Sequence, residues 1–127
     1  MNINEPNQSN TPVCDLRYLT EMMGSKNNLI RGIMDAFLEQ VPDELSRLNS
    51  AVIAINYPII KNLAHTMKSS VSIMGITLLT PILKEMEDLG TNANNIERIN
   101  ELNLQLNLIC TQAINEIESK KNNYNEA

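Results

Sequence analysis

The sequence predicts an all-α protein: an antiparallel up-and-down four-helix bundle with one or two additional N-terminal helices. Three observations carry this. Apolar residues recur at i, i+3 and i+4 through several long stretches, and no stretch shows the period-two alternation or β-branched run of a strand. The apolar 43% of the 127 residues is Leu, Ile, Met, Val and Ala, with Phe37 the single Phe, no Trp and four Gly, which favours aliphatic helix layers. Connections between the long stretches are short, so consecutive helices are antiparallel neighbours.

In chain order, residues 1–13 are rich in Asn, Ser, Thr and Pro and read as a disordered lead-in. Asp15 is a candidate N-cap for a short helix over 16–23, with Leu16, Leu19, Met22 and Met23 on one side and Gly24 closing it. The next helix starts near Lys26 to Asn28 and carries Leu29, Ile30, Ile33, Met34, Phe37, Leu38 and Val41 on a stripe. Pro42 lacks a backbone donor, so a kink or restart is expected before Leu45, Leu48, Val52 and Ile55 continue the stripe. Asn56 caps the third long element, with Pro58 tolerated in its first turn and Gly75 near its end. Thr77 is expected to cap the next helix, which buries Leu79, Ile82, Leu83, Met86 and Leu89 and stops at Gly90. A polar loop over 91–95 leads to a last helix from about Ile96 to Lys120, whose apolar residues occupy an arc of about 140°. Leu104 and Leu108 fall off that arc. One domain over 14–121 is therefore expected, followed by a frayed tail over 122–127.

The net charge of −5 and the lack of a basic stripe with interleaved aromatics argue against a nucleic-acid surface. Residues 1–12 have neither a basic n-region nor an apolar h-region, and no apolar run approaches the ~20 residues of a spanning helix. The expectation is a cytoplasmic protein with Cys14 and Cys110 as free thiols. Two cysteines and one histidine far apart in sequence make a poor metal set. A nucleotide-cradling Gly-rich loop followed by Lys and Ser/Thr is missing, as is any kinase signature. The carboxylate pairs Glu85/Asp88 and Glu116/Glu118 read as solvated helix faces.

His65, the only histidine, lies within 57–75. On a wheel at about 100° per residue, Lys61, Asn62, Lys68, Ser69 and Ser72 fall within about 60° of it, whereas Ile60, Leu63, Met67, Val71 and Met74 fall opposite. The imidazole is thus expected in the middle of the wet face. Imidazole titrates near ~6.5 and at neutral pH is partly unprotonated and nucleophilic; its nitrogen can attack a phosphoryl group. Lys68 at i+3 lies roughly 5–6 Å away at Cβ and can screen phosphoryl charge. Ser69 and Ser72 keep the face low for a partner, and Ser69 offers a hydroxyl to a phosphoryl oxygen. The competing reading is a non-catalytic helical adaptor that binds a partner through an apolar helix face, with His65 incidental. Thr66 and Ser70 read as back-bonding hydroxyls.

The run Ala64-His65-x-Met67-Lys68-Ser69-Ser70, with Gly75 ten residues after the histidine, resembles the motif of histidine-containing phosphotransfer (HPt) domains. Asp15-Leu16-x-x-Leu19 and Phe37-Leu38-Glu39-Gln40-x-Pro42-x-Glu44-Leu45 are similar to the first helices of that family, and the similarity covers about residues 15–120. The resemblance implies that His65 takes a phosphoryl group, usually on Nε2, from the aspartate of one receiver domain and hands it to another. It implies a monomeric relay protein without kinase or ATP-binding elements. No cofactor is implied in this chain, because the Mg²⁺ that assists transfer sits on the receiver. Ser69 stands where the family often has Gly, and Met67 where Leu is commoner. The implied docking face comprises Ser72, Ile73, Lys61 and Asn62; Met22, Met23 and Ile30 are further candidates whose positions fit the core better.

Overall fold

A computed structural model describes residues 11–124. The helices are α1 (Arg17–Met23), α2 (Asn27–Ile53), α3 (Tyr57–Ile73), α4 (Leu79–Asn92) and α5 (Ile96–Lys120), and a 3₁₀ turn, Lys121–Tyr124, follows. No strand occurs among the described residues. Helices α2 to α5 form an antiparallel ring in which α3 packs most extensively on α4, and α1 packs on α2. The core they enclose includes Met34, Phe37, Leu48, Met67, Leu83, Met86, Leu102 and Leu106, the stripes that the 3.6-residue period selects.

The helix ends follow from local chemistry. Asp15 acts as a carboxylate acceptor for Arg17 N–H at 3.1 Å, although Leu16 occupies the N-cap position of α1. Asn56 Oδ1 accepts from Ile59 N–H at 3.3 Å, and Asn95 Oδ1 accepts from Arg98 N–H at 3.2 Å, capping α3 and α5. Helix α2 runs through Pro42 as one element rather than restarting there; the proline itself sits on the exposed side, and it removes one i→i−4 bond from the helix.

Two expectations about α4 and its flanks are corrected. Thr77 makes no side-chain cap; Leu78 occupies that position. Gly90 does not stop α4, which continues to Asn92 and ends on Ala93 in the left-handed conformation at φ 53°. Gly90 instead lies against the backbone of α3: a Cβ there would stand 3.0 Å from Lys61 N and 3.1 Å from Lys61 Cα. Its missing side chain is what lets the two helices approach so closely.

Of the expected lead-in, residues 1–10 lie outside the described residues, as do 125–127 of the tail. Thr11 to Cys14 form a strap across α5. Glu116 accepts from Val13 N–H at 2.9 Å and Cys14 N–H at 3.0 Å, and Gln112 Nε2 donates to Thr11 O at 2.9 Å. Asp15 N–H then donates to Met74 O at 3.1 Å, fastening the strap to the end of α3. Gly75, at φ 63°, faces the Asp15 carbonyl without room for a side chain. Glu116 is therefore a structural anchor, not part of a solvated face. At the other end of the chain, Lys121 pairs with Asp35 at 3.2 Å.

Candidate functional site

The amphipathic face of α3 places His65 as expected. Leu63, Ala64 and Met67 are buried on one side of the helix, and the His65 side chain is 68% exposed on the other. Lys61, Asn62, Ser69 and Ser72 are exposed around it, and Ile73 is half-buried. Lys68, one turn after the histidine, is 30% exposed. Thr66 Oγ1 donates back to Asn62 O at 2.9 Å, the local bond its position suggests, whereas Ser70 Oγ reaches across to Glu44 Oε1 at 3.5 Å on α2.

Glu87 of α4 completes the cluster, and nothing in the helical wheel of α3 points to it. Its Oε2 lies 2.9 Å from His65 Nδ1 and its Oε1 lies 2.6 Å from Lys68 Nζ. The Lys68 ammonium holds the Glu87 carboxyl below the usual range; partial burial pushes it up, and the His65 contact adds to the lowering. Glu87 is thus ionised at neutral pH and can only accept. The proton of the neutral ring consequently sits on Nδ1, and the Nε2 lone pair remains unengaged. The other carboxylates of α4 have partners elsewhere: Glu85 takes Arg98 at 2.7 Å, and Asp88 takes Lys84 at 2.9 Å.

Beyond the histidine, α3 and α1 border a shallow recess of about 420 Å³, lined by Tyr18, Glu21, Ser72, Gly75 and Thr77 among others. Ser72 joins it to the His65 face, being two helical turns away. Of the further docking candidates, Ile30 is buried and Met23 half-buried, but Met22 is exposed and does not belong to the core. The short α1 covers only the end of the bundle, so its outer positions stay wet.

Other nucleophiles are poorly placed. Burial, reinforced by Glu116, pushes the Cys14 thiol up to about 12, and burial with a smaller effect from Glu44 does the same for Cys110. Both cysteines are free. Among the described residues no group of three His, Cys, Asp or Glu side chains converges as metal ligands would, and no helix is long and apolar enough to cross a membrane.

Known proteins resemble this chain in sequence and in fold. The sequence model of the Hpt domain matches residues 32–118. No curated protein matches the sequence. Among solved structures, the chain is similar to the crystal structure of histidine-containing phosphotransfer protein B (HptB) from Pseudomonas aeruginosa PAO1. The TM-score is 0.81 at 22% identity, over 91% of this chain and 99% of that one; at that identity the similarity speaks for the fold.

Proposed function

This chain belongs to the Hpt domain family, whose members carry phosphoryl groups in phosphorelays rather than act as kinases, and we propose that His65 is its phosphoacceptor. The donor is the phosphorylated aspartate of a receiver domain and the next acceptor is the aspartate of another. The observation that carries the reading is an exposed imidazole whose Nδ1 is held by Glu87, leaving Nε2 open, with a lysine one turn on. An imidazole buried in the core would have favoured the adaptor reading.

The chemistry is a displacement at phosphorus. Nε2 forms the N–P bond as the P–O bond to the donor aspartate breaks, and that bond's electron pair leaves with the donor carboxylate. Return to a second aspartate is the reverse step, so the group is held without being spent. Lys68 offsets charge on the phosphoryl oxygens. Ser69 leaves room for close approach and offers a hydroxyl, and Lys61, Asn62, Ser72 and Ile73 meet the receiver. Mg²⁺ comes with the receiver, the protein acts as a monomer in the cytoplasm, and residues 14–121 form the working domain.

The test is incubation with a phosphorylated receiver domain, comparing wild type with His65→Gln. Wild type should acquire acid-labile phosphate and His65→Gln none. Wild type that takes up no such phosphate, or a variant that takes up as much, ends the relay reading.

A further inference from the structure

The recess between α1 and α3 adjoins the His65 face and belongs to the same exposed surface. Ser72 and Gly75 form its α3 side, and Tyr18 and Glu21 line it from α1. Ser72 is seven residues beyond His65, roughly 10 Å along the helix at ~1.5 Å per residue. A protein interface of ordinary size covers ~800 Å² on each partner, a disc with a radius of about 16 Å. A domain seated on the imidazole therefore reaches the recess as well.

Charge is distributed unevenly over that footprint. Lys61 and Lys68 stand one turn before and one turn after His65. Glu87 offsets the second, which leaves Lys61 as a positive charge beside the ring. At the recess the balance is the opposite. Asp15 is neutralised by Arg17, whose Nε meets Oδ1 at 3.0 Å and whose Nη2 meets Oδ2 at 2.6 Å. Glu21 is exposed and joins no ion pair among the described residues. Tyr18, one turn before Glu21 on the same side of α1, is 61% exposed. A carboxylate and a phenol ring on one wall suit a cation with an apolar stem, which can lie on the ring while its charge meets the carboxylate.

We propose that the recess takes a lysine or arginine side chain of the receiver domain, held by Glu21 and Tyr18, and that this second contact sets the receiver's rotation over His65. The inference rests on His65 being the acceptor for a receiver. A contact at Nε2 alone leaves the partner free to turn about the line of attack. A second contact, of opposite charge and roughly 10 Å away, permits one rotation. In that rotation the receiver's aspartate lies toward Lys61 and its cation over Glu21; turned by half a revolution, the cation faces Lys61 instead. A receiver without a cation at that place loses the contact, so the recess also selects among partners.

The test is titration calorimetry of the full chain with an unphosphorylated receiver domain, the one of the same organism that transfers fastest to wild type. Binding is read without any chemistry. Glu21→Gln should raise Kd about fivefold and Glu21→Lys about tenfold or more, both effects shrinking at high salt. Tyr18→Ala should raise it about threefold. In phosphotransfer, Glu21→Gln should raise the receiver concentration for half-maximal rate by the same factor, with the rate at saturation within about twofold of wild type. Reversing one exposed lysine or arginine of that receiver to glutamate should restore binding to Glu21→Lys. If Glu21→Lys loosens α1 by facing Arg17, Glu21→Gln and Tyr18→Ala decide. A Kd within about twofold of wild type in Glu21→Gln overturns the proposal. So does a loss in Tyr18→Ala alone, which marks an apolar occupant. Failure of the acceptor reading is distinct, appearing as acid-labile phosphate that survives in His65→Gln whatever these affinities are.

Discussion

Replacing Gly75 with alanine should loosen the N-terminal strap and destabilise the bundle by about 2–3 kcal/mol. Two costs add. At φ 63° an alanine occupies the left-handed region, a penalty of ~1 kcal/mol. Its Cβ would fall onto the Asp15 carbonyl, 2.9 Å from the carbonyl carbon and 3.0 Å from the Asp15 Cβ. Backbone cannot swing aside as a side-chain tip can, so the strap must lift. The bonds at risk are Asp15 N–H to Met74 O at 3.1 Å and the pair that Glu116 accepts at 2.9 and 3.0 Å. Each is worth ~1 kcal/mol net, and only part of the three is lost. A gain of about 0.5 kcal/mol from the stiffer unfolded chain offsets some of the total. Urea unfolding followed by far-UV circular dichroism should show a lower midpoint at unchanged slope. The same substitution in a chain lacking residues 1–15 should cost only the ~1 kcal/mol of the backbone conformation. Equal losses in both backgrounds, or a loss under ~0.5 kcal/mol in the full chain, would refute the role given to the Asp15 contact.

Two further outcomes follow from the helix ends and the strap. Ile55, just past the end of α2, has φ 53°, a poor conformation for a β-branched residue, and it is 50% exposed; Ile55→Gly should stabilise the fold by about 0.5–1 kcal/mol, and a lowered melting temperature would contradict this. Burial raises the Glu116 carboxyl, but the N–H groups of Val13 and Cys14 and the Gln112 amide outweigh it and hold the carboxyl below its ordinary value of 4.5. The unfolded state then binds more protons between the two values, so the strap's contribution is complete above the ordinary value and is lost as pH falls through the lowered one. Amide-exchange protection of Val13 and Cys14 should decline as acidification passes the ordinary carboxyl value and then the lowered one, while the α5 core keeps its own, and protection independent of pH would refute the anchoring role.

Much of this molecule was legible in its residues because helical periodicity reports burial directly. The 57–75 segment placed His65 and Lys68 on the wet face and Met67 and Val71 in the core, and both placements hold. The last helix runs from Ile96 to Lys120 as its spacing predicts. Contacts between helices were not legible, because a wheel describes one helix at a time. Glu87 lies about 160° from Glu85 around α4, so it meets His65 and Lys68 of α3 while Glu85 meets Arg98 of α5, and only the packing of the helices shows which neighbour each carboxylate finds. A signal for the register of α4 against α3 is present in Gly90, although a glycine at that place in the pattern equally suggests a helix stop. Gly75 is similar: its spacing from His65 is visible in the sequence, while its reason, the passage of Asp15, lies sixty residues upstream. Glu116 looked like a solvated carboxylate because its partners are backbone amides, which leave no mark in a sequence.

The strap also bears on the order in which the chain assembles. Its bonds to α5 join residues 101 to 103 positions apart, whereas His65 and Glu87 are 22 apart. By loop-closure entropy alone, bringing together the more distant pair costs about 1.4 kcal/mol more. The helical hairpin that carries His65 therefore has a kinetic head start, and the strap can seal only once both ends of the bundle exist. The face around His65 is built from residues close together in the sequence, whereas the strap joins segments more than a hundred residues apart, so the two need not open together.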